Sequence, residues 1–367
     1  MTLRGKSKPK ILFFGAHPRA AGIRDLYGMQ NFEPFALTDR NEQLGGAIFE
    51  GIKINPLSEL DLSQVELVVI TEDPVDNHRA ARAELAAAGV NPNIILSIEQ
   101  PGAVHRALNR YMNLTPDQAR NIGYRAVRQN LFHRGQYAYC MVLAAETALR
   151  MDIKCVTAIE FGVWFGSGLK NLCEIADFLN QTLGVSFKVL GFDTGVGLPG
   201  VKDYRDHPEL WASGTLVMPN FQELKNSLPD FCELIIGDIA DTLGPAMAKV
   251  TAETPVGFVS IDVDQYHSTV SCLKVFDAHP DLLLPVIPVW VDDSYLSVLQ
   301  TTWAGEALAI REFNDSHPLR KIEQKIIRTD DFPRLWHHCI WFGHIFDHAV
   351  RQGTRLARMD HFYHTSY

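Results

Sequence analysis

The sequence predicts an α/β protein built on parallel sheets. Three observations lead there. Short apolar runs alternate with helical patterns between residues 10 and 100, and again from Cys155 onward. One run, Cys155 to Phe161, passes into the glycine-rich turn Gly162-Val163-Trp164-Phe165-Gly166-Ser167-Gly168. A helical face of Leu169, Leu172, Ile175, Ala176 and Leu179 follows it. Finally, five apolar runs after residue 150 each carry an acid at their ends. Strands that alternate with helices pair in parallel, because parallel strands need a crossover connection.

At 367 residues the chain is longer than one usual domain, so two are expected. Hydrophobic residues make up 46% and charged residues 21%, enough for a large core. No apolar run approaches the roughly 20 residues of a membrane helix. Arg4, Lys6, Lys8 and Lys10 precede the apolar Ile11 to Phe14, but that run is short and enters His17-Pro18-Arg19. It reads as a first strand, not a signal peptide. The six cysteines (140, 155, 173, 232, 272 and 339) form no CxxC pair, which points to reduced thiols in a cytoplasmic protein. A net charge of −9 argues against nucleic acid as the main partner.

Residues 1–100 read as a small parallel α/β domain. Lys10 to Gly15, Phe35 to Asp39, Leu67 to Thr71 and Ile94 to Leu96 are strands; Ala20 to Tyr27 and Asn77 to Ala88 are helices. The pattern resembles the small Rossmann-like domains of sugar-modifying and carbohydrate-assembly proteins, where a glycine-rich first turn is followed by an acid after the second strand. Gly15 to Gly22 is not GxGxxG, and Pro18 removes an amide that a pyrophosphate would use. A structural or regulatory domain is therefore expected in preference to a working dinucleotide site. Asp39 reads as a solvated strand-end acid, with a ribose contact as the alternative. Residues 101–150 read as a helical connector (Val104 to Met112, Pro116 to Val127, Tyr137 to Leu149), with Thr115-Pro116-Asp117 as a start signal. Arg125, Arg128, His133 and Arg134 make it basic, as a solvated or interface face or as an anion site.

Residues 151–367 carry the acid-ended strands. Cys155 to Phe161 holds Glu160. The runs Phe187 to Phe192, Cys232 to Gly237 and Val256 to Ile261 are followed by Asp193, Asp238 and Asp262, and Val289 to Val291 by Asp292 and Asp293. In an open parallel sheet these carboxyl ends lie along one edge, where ligands bind. Gly162, Gly166 and Gly168, with Ser167, would let backbone approach a ligand at a helix N-terminus. Asp193 is placed for ribose hydroxyls and Asp238 for an adenine amine; Glu160 would neutralise a cationic group or orient the loop. Much carboxylate and no phosphate clamp suits S-adenosylmethionine, a sulfonium without phosphate. Asp262, Asp292 and Asp293 would converge if their strands are neighbours. Clustered carboxylates need a compensating cation or shared proton; hard oxygens favour Mg²⁺ or Ca²⁺, with Mn²⁺ as a further candidate. Asp262 would then act as general base toward a substrate hydroxyl. Capping of the next helix is the structural alternative for Asp292 and Asp293.

Glu160-Phe161-Gly162-Val163, Gly191-Phe192-Asp193-Thr194 with Gly197-Leu198-Pro199, Asp262-Val263-Asp264-Gln265-Tyr266-His267-Ser268-Thr269 and Asp292-Asp293-Ser294-Tyr295 occur in this order. As a set, over about residues 135 to 345, they resemble the macrocin-O-methyltransferase-like group of class I S-adenosylmethionine-dependent methyltransferases. The resemblance implies a seven-stranded Rossmann-like methyltransferase sheet with the cofactor over its first two strand ends. It also implies a divalent metal at Asp262, Asp292 and Asp293. Leu284-Pro285-Val286-Ile287-Pro288 replaces a glycine pair usual in the group, and prolines there are expected to shorten the fifth strand. The expected activity is O-methylation of a sugar or glycosylated small molecule by a possible homodimer. A non-catalytic nucleotide or nucleotide-sugar binding protein in carbohydrate assembly is the alternative. A nicotinamide-dependent oxidoreductase is weaker, since no tyrosine-lysine or cysteine-histidine pairing is evident. Near the C-terminus, alternation around Trp341 suggests an antiparallel strand. Trp336-His337-His338, His344 and His348 read as packing or interface residues before a metal site, and the tail from Arg351 to His364 as an arm or strap.

Overall fold

A computed structural model describes residues 10–29, 35–72, 77–129, 131, 133–294, 298–324 and 337–353, with backbone alone at 127, 128 and 337. Arg4, Lys6, Lys8, Tyr295, Trp336 and the tail from residue 354 lie outside the described residues, as do the side chains of Arg128 and His337. The chain forms two compact units, Met1–Gly135 and Gln136–Tyr367.

The first unit holds β1 (Ile11–Phe14), α1 (Pro18–Leu26), β2 (Phe35–Thr38), a small hairpin of β3 (Ile48–Phe49) and β4 (Ile52–Lys53), β5 (Leu67–Ile70), α2 (Asn77–Ala87) and β6 (Ile95–Ser97). α3 (Pro101–Met112) and α4 (Pro116–Arg128) complete it. Its sheet runs β2-β1-β5-β6, parallel throughout. Every residue of β1 and β5 is buried, which is why both read as continuous apolar runs with no alternation. Leu12, Phe14, Val68 and Ile70 pack with Ala81 and Leu85 of α2.

α5 (Gly135–Arg150) leads into the second unit. There β7 (Cys155–Phe161), α6 (Ser167–Leu183), β8 (Ser186–Asp193), α7 (Phe221–Ser227), β9 (Cys232–Ile236), α8 (Ile239–Met247), β10 (Val256–Ile261), α9 (Tyr266–Leu273), β11 (Val286–Val291), α10 (Gly305–Ser316), β12 (Arg320–Gln324) and β13 (Ile340–Ile345) follow. The described strands form a sheet of order β12-β13-β11-β10-β7-β8-β9. β7 to β11 are mutually parallel, and β13 runs antiparallel to both neighbours, as the alternation around Trp341 implies. After β9 the chain returns to the other side of β7, so the strand order reverses between β7 and β10, the switch point where open α/β sheets take ligands. On α6 the stripe Leu169, Leu172, Ile175, Ala176 and Leu179 is buried. Burial at about 1.5–3 kcal/mol per large apolar side chain, more than helix propensity, holds such a helix in place.

The prolines act differently from the expectation. β11 spans Val286 to Val291 and pairs with β13 through Pro288, whereas its ladder to β10 begins only at Val289. A missing N–H breaks the ladder on one side of a strand only. The strand keeps its length and loses half of one partner.

Candidate functional site

The turn after β7 is shaped by close packing. Gly162 has φ +87°, and a Cβ there would run into the carbonyl oxygen of Asp262 at the end of β10. At Gly166 (φ +80°) a Cβ would meet Leu224 of α7, and at Gly168 the Glu160 carboxylate. The space freed by each glycine is thus filled by the chain itself, so contacts inside the unit already require glycine here. Ser167 opens α6 and is exposed. Between the glycines, Trp164 (φ +47°) and Phe165 lie half-exposed against one another, ring centroids 4.2 Å apart.

Asp193, the last residue of β8, braces this turn. Its Oδ2 accepts from the amides of Val163 (3.0 Å) and Trp164 (2.9 Å), and its Oδ1 from that of Gly195 (2.7 Å). Oδ2 has both of its lone-pair sites used by these bonds, and Oδ1 keeps one. Asp238, past the end of β9, is exposed and caps α8, its Oδ1 accepting from Ala240 N at 2.8 Å. Glu160 is 2% exposed and accepts a hydrogen bond from Tyr137 Oη (2.9 Å), which also lies 3.0 Å from Ser260 Oγ. This enclosed carboxylate lies directly against Gly168, in the first turn of α6.

Five carboxyls gather at the ends of β10 and β11. Ile261 pairs with Val291, so Asp262 and Asp292 leave adjacent strands at the same level. Asp264 (φ +65°, 7% exposed) follows on one turn and Asp293 on the other, and Glu306, 1% exposed, enters from the start of α10. Burial, then the charges of Asp292, Asp264, Glu160 and Asp293, holds the Asp262 carboxyl well above the usual range. Asp264 is raised to about 8 by burial and by Asp293 and Asp292. Glu306 is pushed well up by burial and then by the four aspartates. Asp293 is raised by burial and Asp292, against opposing contributions from Asp264, Gln300 and His207. Such a cluster persists only with shared protons or a cation.

The oxygens have specific partners. Trp290 Nε1 donates to Asp292 Oδ1 (2.9 Å) and Gln300 Nε2 to Asp293 Oδ1 (2.9 Å). Glu306 accepts from Val263 N through Oε1 (3.3 Å) and from Asp293 N through Oε2 (3.0 Å). Among the described residues no three His, Cys, Asp or Glu side chains are grouped as a metal site requires. Asp262, Asp292 and Asp293 therefore stand at one edge without converging on a common point.

The long connection between β8 and α7 closes over the same edge. His207 (φ +51°, 4% exposed) lays its ring where a Cβ of Gly305 would be, and its Nδ1 is 2.8 Å from Glu209 Oε1. Asp206, 1% exposed, meets His267 Nδ1 at 2.9 Å and accepts from the amides of Lys202 and His267. Burial pushes Asp206 up, but these amides and the imidazole outweigh it and hold the carboxyl below its usual range. Gln265 Nε2 donates to Pro199 O (3.1 Å). Sequence reasoning missed Glu306, His207 and Asp206. None ends a strand, and Glu306 lies over 40 positions from Asp262. The Asp264-x-x-His267 spacing was visible, but its partner Asp206 was not.

No family model matches the sequence, nor does any curated protein. Among solved structures the chain is similar to the O-methyltransferase NovP (17% identity, 55% of this chain and 76% of that one, TM-score 0.38). It is also similar to CalS11, a calicheamicin methyltransferase (17% identity, 65% and 90%, TM-score 0.38), and to cofactor-bound Rv0187 from MTB (18% identity, 67% and 97%, TM-score 0.31). At such scores the likeness carries no functional assignment. The chain is an α/β protein with a parallel sheet in its first unit and a mixed sheet in its second, and a carboxyl-rich edge at the switch point of the mixed sheet.

Proposed function

We propose that the protein is an S-adenosylmethionine-dependent O-methyltransferase acting on a hydroxyl of a sugar or glycosylated small molecule. One observation carries the reading: Asp262, Asp264, Asp292, Asp293 and Glu306 crowd the carboxyl ends of β10 and β11, beside the switch point, and the proton affinities of Asp262, Asp264, Asp293 and Glu306 are raised. A group of desolvated acids at a ligand-binding edge is a functional-site signature.

The cofactor, when bound, supplies a methyl group made electrophilic by a sulfonium. Asp193 and Asp238, at the ends of β8 and β9, retain acceptor capacity for ribose hydroxyls and an adenine amine. Backbone around Gly162, Gly166, Ser167 and Gly168 forms the adjoining wall. Glu160 fixes that wall from below through Tyr137. Asp262 takes the proton of the acceptor hydroxyl; its raised proton affinity makes the ionised form a stronger base than an ordinary carboxylate. Positioning of the two reactants provides most of the acceleration.

A divalent cation, Mg²⁺ by preference, belongs to the proposal on donor chemistry alone. Asp262, Asp292 and Asp293 are hard oxygen ligands, and Trp290 and Gln300 each hold one oxygen, of Asp292 and Asp293 respectively. Residues 1–100 are proposed as a structural or regulatory domain, and the setting as cytoplasmic, in keeping with six free cysteines. No described helix is long and apolar enough to cross a membrane.

Calorimetry with S-adenosylmethionine and S-adenosylhomocysteine tests the reading. Binding is expected, and no heat at millimolar ligand ends it. Binding of a nucleotide-sugar, with no methyl transfer to any acceptor, would instead favour a non-catalytic role in carbohydrate assembly.

A further inference from the structure

We infer that Glu306 is a positioning residue that staples the turn after β10 to the turn after β11, and so fixes the spacing of the acids these turns carry. Ile261 and Val291 are register partners. Val263 and Asp293, the residues that donate to Glu306, each lie two positions beyond them. One carboxylate therefore accepts the equivalent amide of two neighbouring turns, Val263 N at 3.3 Å and Asp293 N at 3.0 Å. Parallel strands lie about 4.8 Å apart, a gap that a single carboxylate can bridge.

The choice of side chain follows. A glutamine has one acceptor oxygen, and its NH₂ would face the second amide donor to donor; an aspartate is one methylene short. Only glutamate satisfies both amides from this position. Its place in the first turn of α10 sets both of its acceptor oxygens at the start of the helix. Gly305 (φ +60°) precedes it, leaving the His207 ring room against the helix start. Asp262, Val263 and Asp264 lie on one stapled turn, and Asp292 and Asp293 on the other. Glu306 thus sets where the proposed base stands relative to the second pair without touching substrate.

The staple rests on the two hydrogen bonds to Glu306; its part in catalysis rests on the methyl-transfer reading, and the two are tested separately. Amide hydrogen exchange is followed by NMR on the full chain for wild type, Glu306→Ala and Glu306→Gln. The alanine variant is expected to speed exchange at Val263 and Asp293 by about tenfold or more, the scale of a lost buried hydrogen bond. Ile159 and Leu190, in β7 and β8, are expected to keep their rates. The glutamine variant is expected to protect one of the two amides. Unchanged rates at both overturn the staple, and so does faster exchange spread evenly over the sheet.

Calorimetry with S-adenosylhomocysteine, together with turnover of an acceptor that the wild type methylates, then reads the catalytic part. Cofactor affinity is expected to stay within about twofold while kcat falls by about tenfold or more in the alanine variant and less in the glutamine variant. A kcat equal to wild type overturns the positioning role. Failure of the wild type to bind S-adenosylhomocysteine removes the methyltransferase reading and leaves the exchange result to judge the staple.

Discussion

The two units solve the same local problem alike and differ in the charges beside it. In the first, the turn after β1 is held by Asp39, which follows β2: its Oδ2 accepts from Ala16 N at 2.7 Å. In the second, the turn after β7 is held by Asp193 at the end of β8, through Val163 N and Trp164 N. In both, an acid after the second strand braces the turn after the first. The next strand ends differ. In the first unit the acids face bases: Arg40 meets Glu72 at 2.9 Å and Glu84 at 3.4 Å, and His78 meets Glu99 at 3.2 Å. Burial still pushes Glu72 up, against Arg40. For Glu99 burial raises and His78 overrides it, so the carboxyl falls below its usual range. In the second unit the acids face one another. A strand-end acid is therefore weak evidence of function; acids whose main neighbours are other acids are stronger evidence.

Neutralising one acid at the second edge gives the sharpest test of that contrast. Asp262→Asn is expected to cut methyl transfer by about 10²–10⁴-fold, the usual contribution of a general base, with thermal stability retained or raised. Relief of repulsion within the cluster sets the sign of the stability change. Asp39→Asn is expected to leave turnover unaltered. Turnover that survives Asp262→Asn breaks the assignment of chemistry to that edge.

Backbone approach should show no such contrast. Gly162→Ala would drive a Cβ into the Asp262 carbonyl at φ +87°, and Gly15→Ala would set one 2.6 Å from Glu72 N at φ +112°. Each is expected to cost about 3 kcal/mol, read from denaturant midpoints. A tolerated Gly162→Ala would mean that the strand ends can separate.

Much of this is legible in the amino-acid sequence. Cys155–Phe161 and Val256–Ile261 have the bounds that their apolar runs mark, because a strand buried on both faces must be continuous in hydrophobicity. The acids at one edge follow once the strands are parallel. Which atoms those acids meet was not legible. Asp193 accepts from amides of the turn it would have shared with a ligand, and the glycines make room for Asp262, Leu224 and Glu160. Glu160 and Gly168 are only eight apart, but the contacts with Asp193, Leu224 and Asp262 join positions about 30 to 100 residues apart, which no local pattern encodes. Glu306 was hidden for the same reason, as an acid in a helix's first turn looks like an ordinary dipole partner.

The pH dependence sharpens the electrostatic half of the comparison. Carboxyls raised in the folded state bind more protons there than in the unfolded chain, where the value is about 4. Their contribution is fully present below about pH 4 and is lost as pH rises through the folded values, about 8 for Asp264. Stability of the metal-free protein is expected to fall by about 3 kcal/mol or more between pH 5 and 8. Asp292→Asn combined with Asp293→Asn should flatten the slope, since these charges raise Asp262 and Asp264. Mg²⁺ should flatten it too if the cation binds there. Denaturant midpoints at fixed ionic strength measure this, and a slope unchanged in the double variant would place the coupling elsewhere.

The smallest effect concerns the shared brace. Asp193→Asn leaves one oxygen where two accept three amides, and Asp39→Asn one where Oδ2 accepts from Ala16 and Oδ1 from Asn41. Amide bonds to a charged acceptor contribute about 1.5–3 kcal/mol when lost from a buried site and less in a half-exposed one. About 1 kcal/mol is expected for each, slightly more for Asp193 with its third amide. The ligand response should then separate two equal losses of stability. If ribose hydroxyls share the Asp193 carboxylate, S-adenosylhomocysteine should raise the melting temperature of Asp39→Asn as much as that of wild type, and that of Asp193→Asn distinctly less. Equal shifts in both variants would show that Asp193 holds the turn and nothing more, and would move the cofactor contact to Asp238.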